Sequence, residues 1–161
     1  MSKVQGVPKG FHTLTPHLII KGASEATEFY KQVFLAQELA RMLTPEHKIL
    51  HLELKIGDSM LFICEEIPQM HCLGPSTLGG TPVTIHLYVD DVDAVFARAL
   101  RAGATVTMPV NNMFWGDRYG KFIDPFGHNW SVATRVEDLT PEEVEARQDA
   151  FFAQMAQVVH K

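Results

Sequence analysis

A chain of 161 residues with 46% hydrophobic and 20% charged residues has the makeup of one globular domain, or of two small modules sharing an interface. Its net charge of −5 at pH 7 leaves no basic footprint for nucleic acid. No apolar run approaches the roughly 20 residues that span a bilayer, and the N-terminal MSKVQGVPKG has no apolar stretch of signal-peptide type, so a cytoplasmic protein with no membrane partner is expected.

In chain order, the first predicted elements are a strand in TPHLII and a helix over ASEATEFYKQVF, where Ala26, Phe29, Tyr30 and Phe34 recur at helical spacing. Strand signals follow in ELARML, KILHLELKI and SMLFICEE, with Gly57-Asp58 turning between the last two. The segment IPQMHCLGPSTLGGTP (67–82), rich in Gly and Pro, reads as a mobile linker. CEEIPQMHC (64–72) gathers carboxylates, a His and two sulfurs without the paired spacing of a structural zinc site, which makes it a weak metal candidate. Cys64, ending the apolar run MLFIC, reads as a buried, inert thiol.

The same order then repeats. VTIHLYV is a strand, and DDVDAVFARALRAG is a helix that Asp90 or Asp91 can cap and Gly103 can end in the left-handed conformation. TVTMPV, RYGKFID and HNWSVATRV are strands, the last two separated by Pro125 and Gly127. Each half therefore reads β-α-β-β-β, with module one over about 11–66 and module two over about 83–139 of a single domain, 1–139. Residues 140–161 form a separate helix. Thr140, Pro141 and Glu143 make its capping box, and Val144, Phe151, Phe152, Met155 and Val158 supply an apolar stripe for the domain or a second subunit. A domain this small is not expected to bury that stripe alone, so a homodimer is expected.

This paired repeat, with GFHTLTPHLII, ATEFYKQVF, HLELKIGDS, HLYVDDVDAVFARALRAGA and FWGDRYGKFIDPFGHNWSVAT, resembles the vicinal oxygen chelate superfamily, and within it the PhnB-like branch of glyoxalase/bleomycin-resistance-like proteins. The resemblance covers about residues 10–140. It implies an α+β fold in which two β-α-β-β-β modules form a curled mixed-sheet pocket, the glyoxalase/bleomycin resistance/dioxygenase fold, followed here by the C-terminal helix. One departure is Leu35, where the branch tends to place Gly, so the first helix must close without a free left-handed glycine.

Strand alternation sorts the side chains of such a fold. Leu18, Ile20, Leu52, Leu54, Leu87, Val89, Trp130 and Val132 fall to the core. His17, Ile19, His51, Glu53, Lys55, His86, Tyr88, Asn129 and Ser131 fall to the pocket. The resemblance implies metal ligands on the first and last strand of each half. His17 and His86 match the first-strand positions, and aligning GDSMLFICEE with GHNWSVATRV puts the others on Leu61 and Ser131. Neither of those is a good ligand, so no metal or other cofactor is expected; the alternative is a divalent metal on His17, His86 and Glu53.

Phe114, Trp115, Arg118 and Tyr119 are expected in the loop entering the seventh strand, over the pocket mouth. Arg118 either meets a planar or anionic small molecule or pairs with Asp117 or Asp124, the rings then filling a dimer seam. His128, at the hairpin turn, is expected to be solvated or strand-capping. The ligand-binding set is thus His17, His51, Glu53, His86, Tyr88, Trp115, Arg118, Tyr119 and Ser131, and the partner a small organic molecule. The leading function is metal-free binding or sequestration. The alternatives are a metal-dependent lyase, isomerase or dioxygenase, and a metal-free enzyme with His51 or Glu53 as general base and Arg118 stabilising an anion. No nucleophile elbow, phosphate loop or cofactor fingerprint is present.

Overall fold

The β-α-β-β-β order occurs twice in the computed structural model, which describes residues 4–159. Module one is β1 (His17–Ile20), α1 (Ala23–Phe34), β2 (Gln37–Leu43), β3 (Ile49–Ile56) and β4 (Ser59–Glu65). The short α2 (Pro75–Leu78) lies between the modules. Module two is β5 (Thr84–Tyr88), α3 (Val92–Arg101), β6 (Thr105–Asn112), β7 (Asp117–Ile123) and β8 (Asn129–Arg135). Each module is a four-stranded mixed sheet, ordered β1-β4-β3-β2 and β5-β8-β7-β6. In each, the first strand runs parallel to the last, and α1 or α3 supplies the crossover that parallel pairing requires. Pro109, which cannot donate to a ladder, sits on the edge strand β6 amid two register shifts, where it is tolerated.

The helix ends show how local chemistry and tertiary contacts share the work. Asp91 caps α3 by accepting from the Ala94 amide at 2.9 Å, and Gly103 (φ 95°) follows its end. No local side chain caps α1. Its first amides, on Gly22 and Ala23, reach the Glu65 carboxylate at 2.9 and 3.0 Å across the sheet, an anion at the positive end of the helix. At the other end Leu35 itself takes the left-handed conformation (φ 56°), and its amide closes on the Tyr30 carbonyl. Without glycine there, the backbone carries about 1–2 kcal/mol of strain.

The linker expected to be mobile carries local structure, though most of it is exposed. It makes a 3-10 turn over Pro68–Met70, a bridge between Ile67 and Cys72, and α2. Glu66 fastens it by accepting from the Gly74 amide and the Thr77 hydroxyl at 3.1 and 2.8 Å. Gly74 lies so close to β1 that a Cβ would stand 3.0 Å from the Ile19 carbonyl oxygen. At Gly74 the missing side chain therefore serves close approach of two backbones.

The two modules share one hydrophobic core. Leu18, Ile20, Leu52, Leu54, Trp130 and Val132 are all buried, as alternation predicts, and Leu87 and Val89 are partly buried against them. Across the module boundary, the Phe34 and Tyr30 rings of α1 lie 4.6 and 5.3 Å from Trp130. No helix among the described residues is long and apolar enough to cross a membrane.

The last helix, α4 (Pro141–Val159), opens on the expected capping box. The Thr140 amide donates to Glu143 at 2.8 Å, and the Glu143 amide donates to the Thr140 hydroxyl at 3.2 Å. The Phe151 ring lies tilted against Phe114 at 5.3 Å, and Arg147 pairs with Glu137 at 2.7 Å. Phe152 and Met155 remain exposed. The side chain of Val158 lies outside the described residues.

Candidate functional site

The faces of the two sheets that carry the predicted polar residues form two clusters. On the first sheet Phe62 is the centre, with its ring 4.8 Å from His51, 6.0 Å from His17 and 5.7 Å from Phe11. His51 Nε2 lies 3.3 Å from the Glu53 carboxylate. Partial burial, and then the neighbouring His51, hold His17 below the usual histidine range.

The second sheet carries the richer cluster. His86 Nδ1 shares a hydrogen bond of 2.8 Å with the buried Ser131 hydroxyl. Its ring meets the edge of Tyr88 at 4.7 Å and stacks over Tyr119 at 5.9 Å; Tyr119 in turn meets Trp115 at 5.6 Å. Below them Asp117 accepts from the Trp115 indole at 3.0 Å and from the Tyr88 hydroxyl at 3.1 Å. The hydrogen bond to that carboxylate raises the Tyr88 hydroxyl above the ordinary tyrosine value, so it stays a donor at neutral pH. Burial pushes His86 down, against the opposing pull of Asp117. A hollow of about 770 Å³ opens here, lined by Tyr88, Asp90, Trp115, Asp117, Thr134 and Arg135 among others. A second, of about 750 Å³, runs along β5 past His86 and Tyr88 toward the β3–β4 turn. Neither hollow is lined by His17, His51 or Glu53.

Asp117 is the member that sequence reading passed over. It shares the strand face of Tyr119 and Lys121 by simple alternation, a signal present in DRYGK once β7 is known to begin at Asp117.

Several expectations need correction. Arg118 and Tyr119 lie within β7, not in the loop before it. Alternation then turns Arg118 to the helix side of the sheet, where it grips Asp93 of α3 through two nitrogens at 2.6 and 2.7 Å and reaches Asn112 at 3.2 Å. Its partner is thus neither Asp117 nor Asp124, and it does not meet His51 or Glu53 as an anion-stabilising group would.

The last-strand position of module one also shifts by one residue. His17 pairs with Phe62 just as His86 pairs with Ser131, so the equivalent of Ser131 is Phe62; Leu61 is buried in the core. The alternative metal set draws on both sheets. His17 and Glu53 belong to the first sheet and His86 to the second, and among the described residues no group of three His, Cys, Asp or Glu side chains is placed to hold a metal ion. In CEEIPQMHC both carboxylates are engaged in backbone and hydroxyl capping, Glu65 on α1 and Glu66 on the linker. Burial raises the Cys64 thiol, as fits an inert core sulfur.

His128 is buried rather than solvated, and its Nε2 lies 3.2 Å from the Ile19 carbonyl oxygen of β1. A carbonyl only accepts, so Nε2 carries the hydrogen. Burial holds the ring below the usual histidine range, outweighing nearby Asp124. The unfolded chain takes up this proton near pH 6.5 and the folded chain resists it, so stability falls as pH drops from about 6.5 through the lower folded value. We expect His128→Gln to lose less stability than the natural chain between pH 7.5 and 5.5 in urea unfolding. His17 and His86 titrate in both proteins and cancel. Equal losses would show that His128 does not carry this dependence.

The comparisons with known proteins agree with the twofold order. The profile of the Glyoxalase/Bleomycin resistance protein/Dioxygenase superfamily matches residues 11–132. The chain belongs to this superfamily. Among family relatives, an uncharacterized protein of Mycobacterium bovis is 47% identical over 137 residues, covering 83% of this chain and 90% of the relative. Of solved structures, a protein from Pseudomonas aeruginosa superimposes with a TM-score of 0.63 at 27% identity, covering 78% of this chain and 99% of that one. TioX from Micromonospora sp. ML1 does so with a TM-score of 0.62 at 25% identity, over 78% and 99% of the two chains. The superfamily supports several chemistries on one fold, so the side chains on the two sheet faces decide the reading.

Proposed function

We propose that this protein binds a small organic molecule on the polar-aromatic face of its second sheet, as a binding or sequestration protein that needs no metal. One observation carries this reading. The two positions paired with the first-strand imidazoles are Phe62 and Ser131, and neither supplies an anionic oxygen. A phenyl ring offers a cation nothing, and a neutral hydroxyl already engaged by His86 at 2.8 Å is a poor ligand. His86, Tyr88, Trp115, Tyr119 and Ser131 then serve as binding groups, with Asp117 beneath them. We further propose membership of the PhnB-like branch, on the motifs given above, and a cytoplasmic homodimer; the exposed Phe152 and Met155 of α4 support the second subunit.

The metal-dependent lyase, isomerase or dioxygenase has one observation in its favour: burial keeps both His17 and His86 neutral, the form in which imidazole binds a metal. Elemental analysis of protein purified without chelator separates the readings. We expect far less than one transition metal per chain. About one Zn, Ni, Fe or Mn per chain, lost in His86→Ala, would replace the metal-free reading with this one.

A further inference from the structure

We propose that the hollow beside Tyr88 recognises an organic cation, for which the Asp117 carboxylate is the counter-charge. This rests on the reading of the second sheet as a binding face and names the class of ligand it takes.

Asp117 is only 6% exposed, yet its two hydrogen bonds both arrive at one oxygen, Oδ2, and both donors are neutral. No described residue donates a hydrogen bond to Oδ1, and no buried side-chain oxygen among the described residues lacks a partner, so Oδ1 is reached from the hollow. A carboxylate withdrawn from water without a cation is costly, and two neutral donors offset only part of that cost.

Among the described residues no Lys or Arg forms an ion pair with it. Arg135 stands opposite Asp117 across the β7–β8 ladder and lines the same hollow, but its guanidinium turns outward to Asp138 at 2.5 Å and to the Glu137 carbonyl at 3.3 Å. Arg118 grips Asp93 on the other side of the sheet. Lys121 lies four residues along β7, about 13 Å away at strand spacing. His86 stays neutral at pH 7 for the reason given above.

The rest of the lining suits an organic rather than a metal cation. Tyr88 is 66% exposed and Trp115 half-buried, so two aromatic groups are open to a ligand beside the carboxylate; cation–π contact adds to the attraction. Among the described residues Asp90 is the other carboxylate on the hollow, and two acidic side chains fall short of the six to eight oxygen ligands of a calcium site.

Three probes of nearly one shape test the charge. Choline carries a positive charge, 3,3-dimethylbutan-1-ol none, and 3,3-dimethylbutanoate a negative one. Affinities for the whole protein are measured by calorimetry and by indole fluorescence, which reports the hollow through Trp115 because Trp130 is buried. We expect choline to bind roughly tenfold or more tightly than the alcohol, with the butanoate weakest. Asp117→Asn keeps an acceptor for Tyr88 and Trp115 but removes the charge, and it should erase the preference for choline. Should Asp117→Asn not fold, the ratios in the natural chain decide. Equal affinity for all three probes, preference for the butanoate, or a choline preference that survives Asp117→Asn would overturn the cation assignment and leave the binding face standing. Failure of all three to bind, even at tens of millimolar, would sink both.

Discussion

Trp130→Ala is expected to destabilise the protein by about 3–5 kcal/mol, the usual cost of emptying a large aromatic site in a core. The side chain is 1% exposed. Its ring lies 4.6 Å from Phe34 and 5.3 Å from Tyr30, so its removal opens a cavity between α1 and the second sheet. Its indole N–H donates to Asp124 at 2.8 Å, and that bond is lost as well. The substitution therefore loosens the joint between the modules. A urea-unfolding series reads the change directly, and Tyr88→Ala serves as the control. Tyr88 is exposed on the opposite face of the second sheet and should cost far less. A stable Trp130→Ala beside an unstable Tyr88→Ala would invert the assignment of the two sheet faces.

Asp124→Asn is expected to cost about 2–4 kcal/mol, although it changes one atom. The buried carboxylate accepts four hydrogen bonds. One oxygen takes the Tyr30 hydroxyl at 2.6 Å and the Trp130 indole at 2.8 Å; the other takes the Phe126 and His128 amides at 2.9 and 3.0 Å. An amide has one acceptor oxygen. Kept toward the two backbone amides, it points its NH2 at the indole, which has only a hydrogen to offer. The Tyr30 hydroxyl can turn and accept, so the indole carries most of the loss. The link to Tyr30 crosses from module one to module two, 94 residues apart in sequence. A double-mutant cycle with Tyr30→Phe should therefore show coupling. Additivity within about 0.5 kcal/mol would mean that this contact does not hold the modules together. The carboxylate also explains Tyr30 itself: burial, reinforced by Asp124, raises its hydroxyl well above the usual range and fixes it as a donor.

These effects belong to groups that sequence reading treated unequally. Trp130 was legible as core, because its strand alternates and the period of two is a local property. Asp124 entered only as a possible partner for Arg118. Nothing local distinguishes a carboxylate that ends a strand in solvent from one that receives a tyrosine of the other module. The aromatic cluster on the second sheet was partly legible: His86, Tyr88, Trp115, Tyr119 and Ser131 do gather there. Arg118 differs because grouping it with Phe114 and Trp115 at the pocket mouth leaves out the alternation of its own strand: in β7 it shares a face with Gly120 and Phe122, while Asp117, one residue before RYGKFID, shares the face of Tyr119 and Lys121.

By itself, then, the sequence determined what depends on near neighbours: the twofold β-α-β-β-β order, the core parity of Leu52, Leu54, Trp130 and Val132, the Asp91 cap of α3 and the capping box of Thr140 and Glu143. Only the tertiary structure decided what depends on pairing between distant segments. It set the register that puts Phe62 rather than Leu61 beside His17. It placed His17 and Glu53 on one sheet and His86 on the other, brought Arg118 to Asp93, set Gly74 of the linker against β1, and buried His128 beside the Ile19 carbonyl. The physical reason is range. Periodicity and capping act over a few residues, where chain geometry fixes the neighbours. A strand register is chosen by the packing of a whole face, and a shift of one residue in it exchanges ligand-facing and core-facing side chains together.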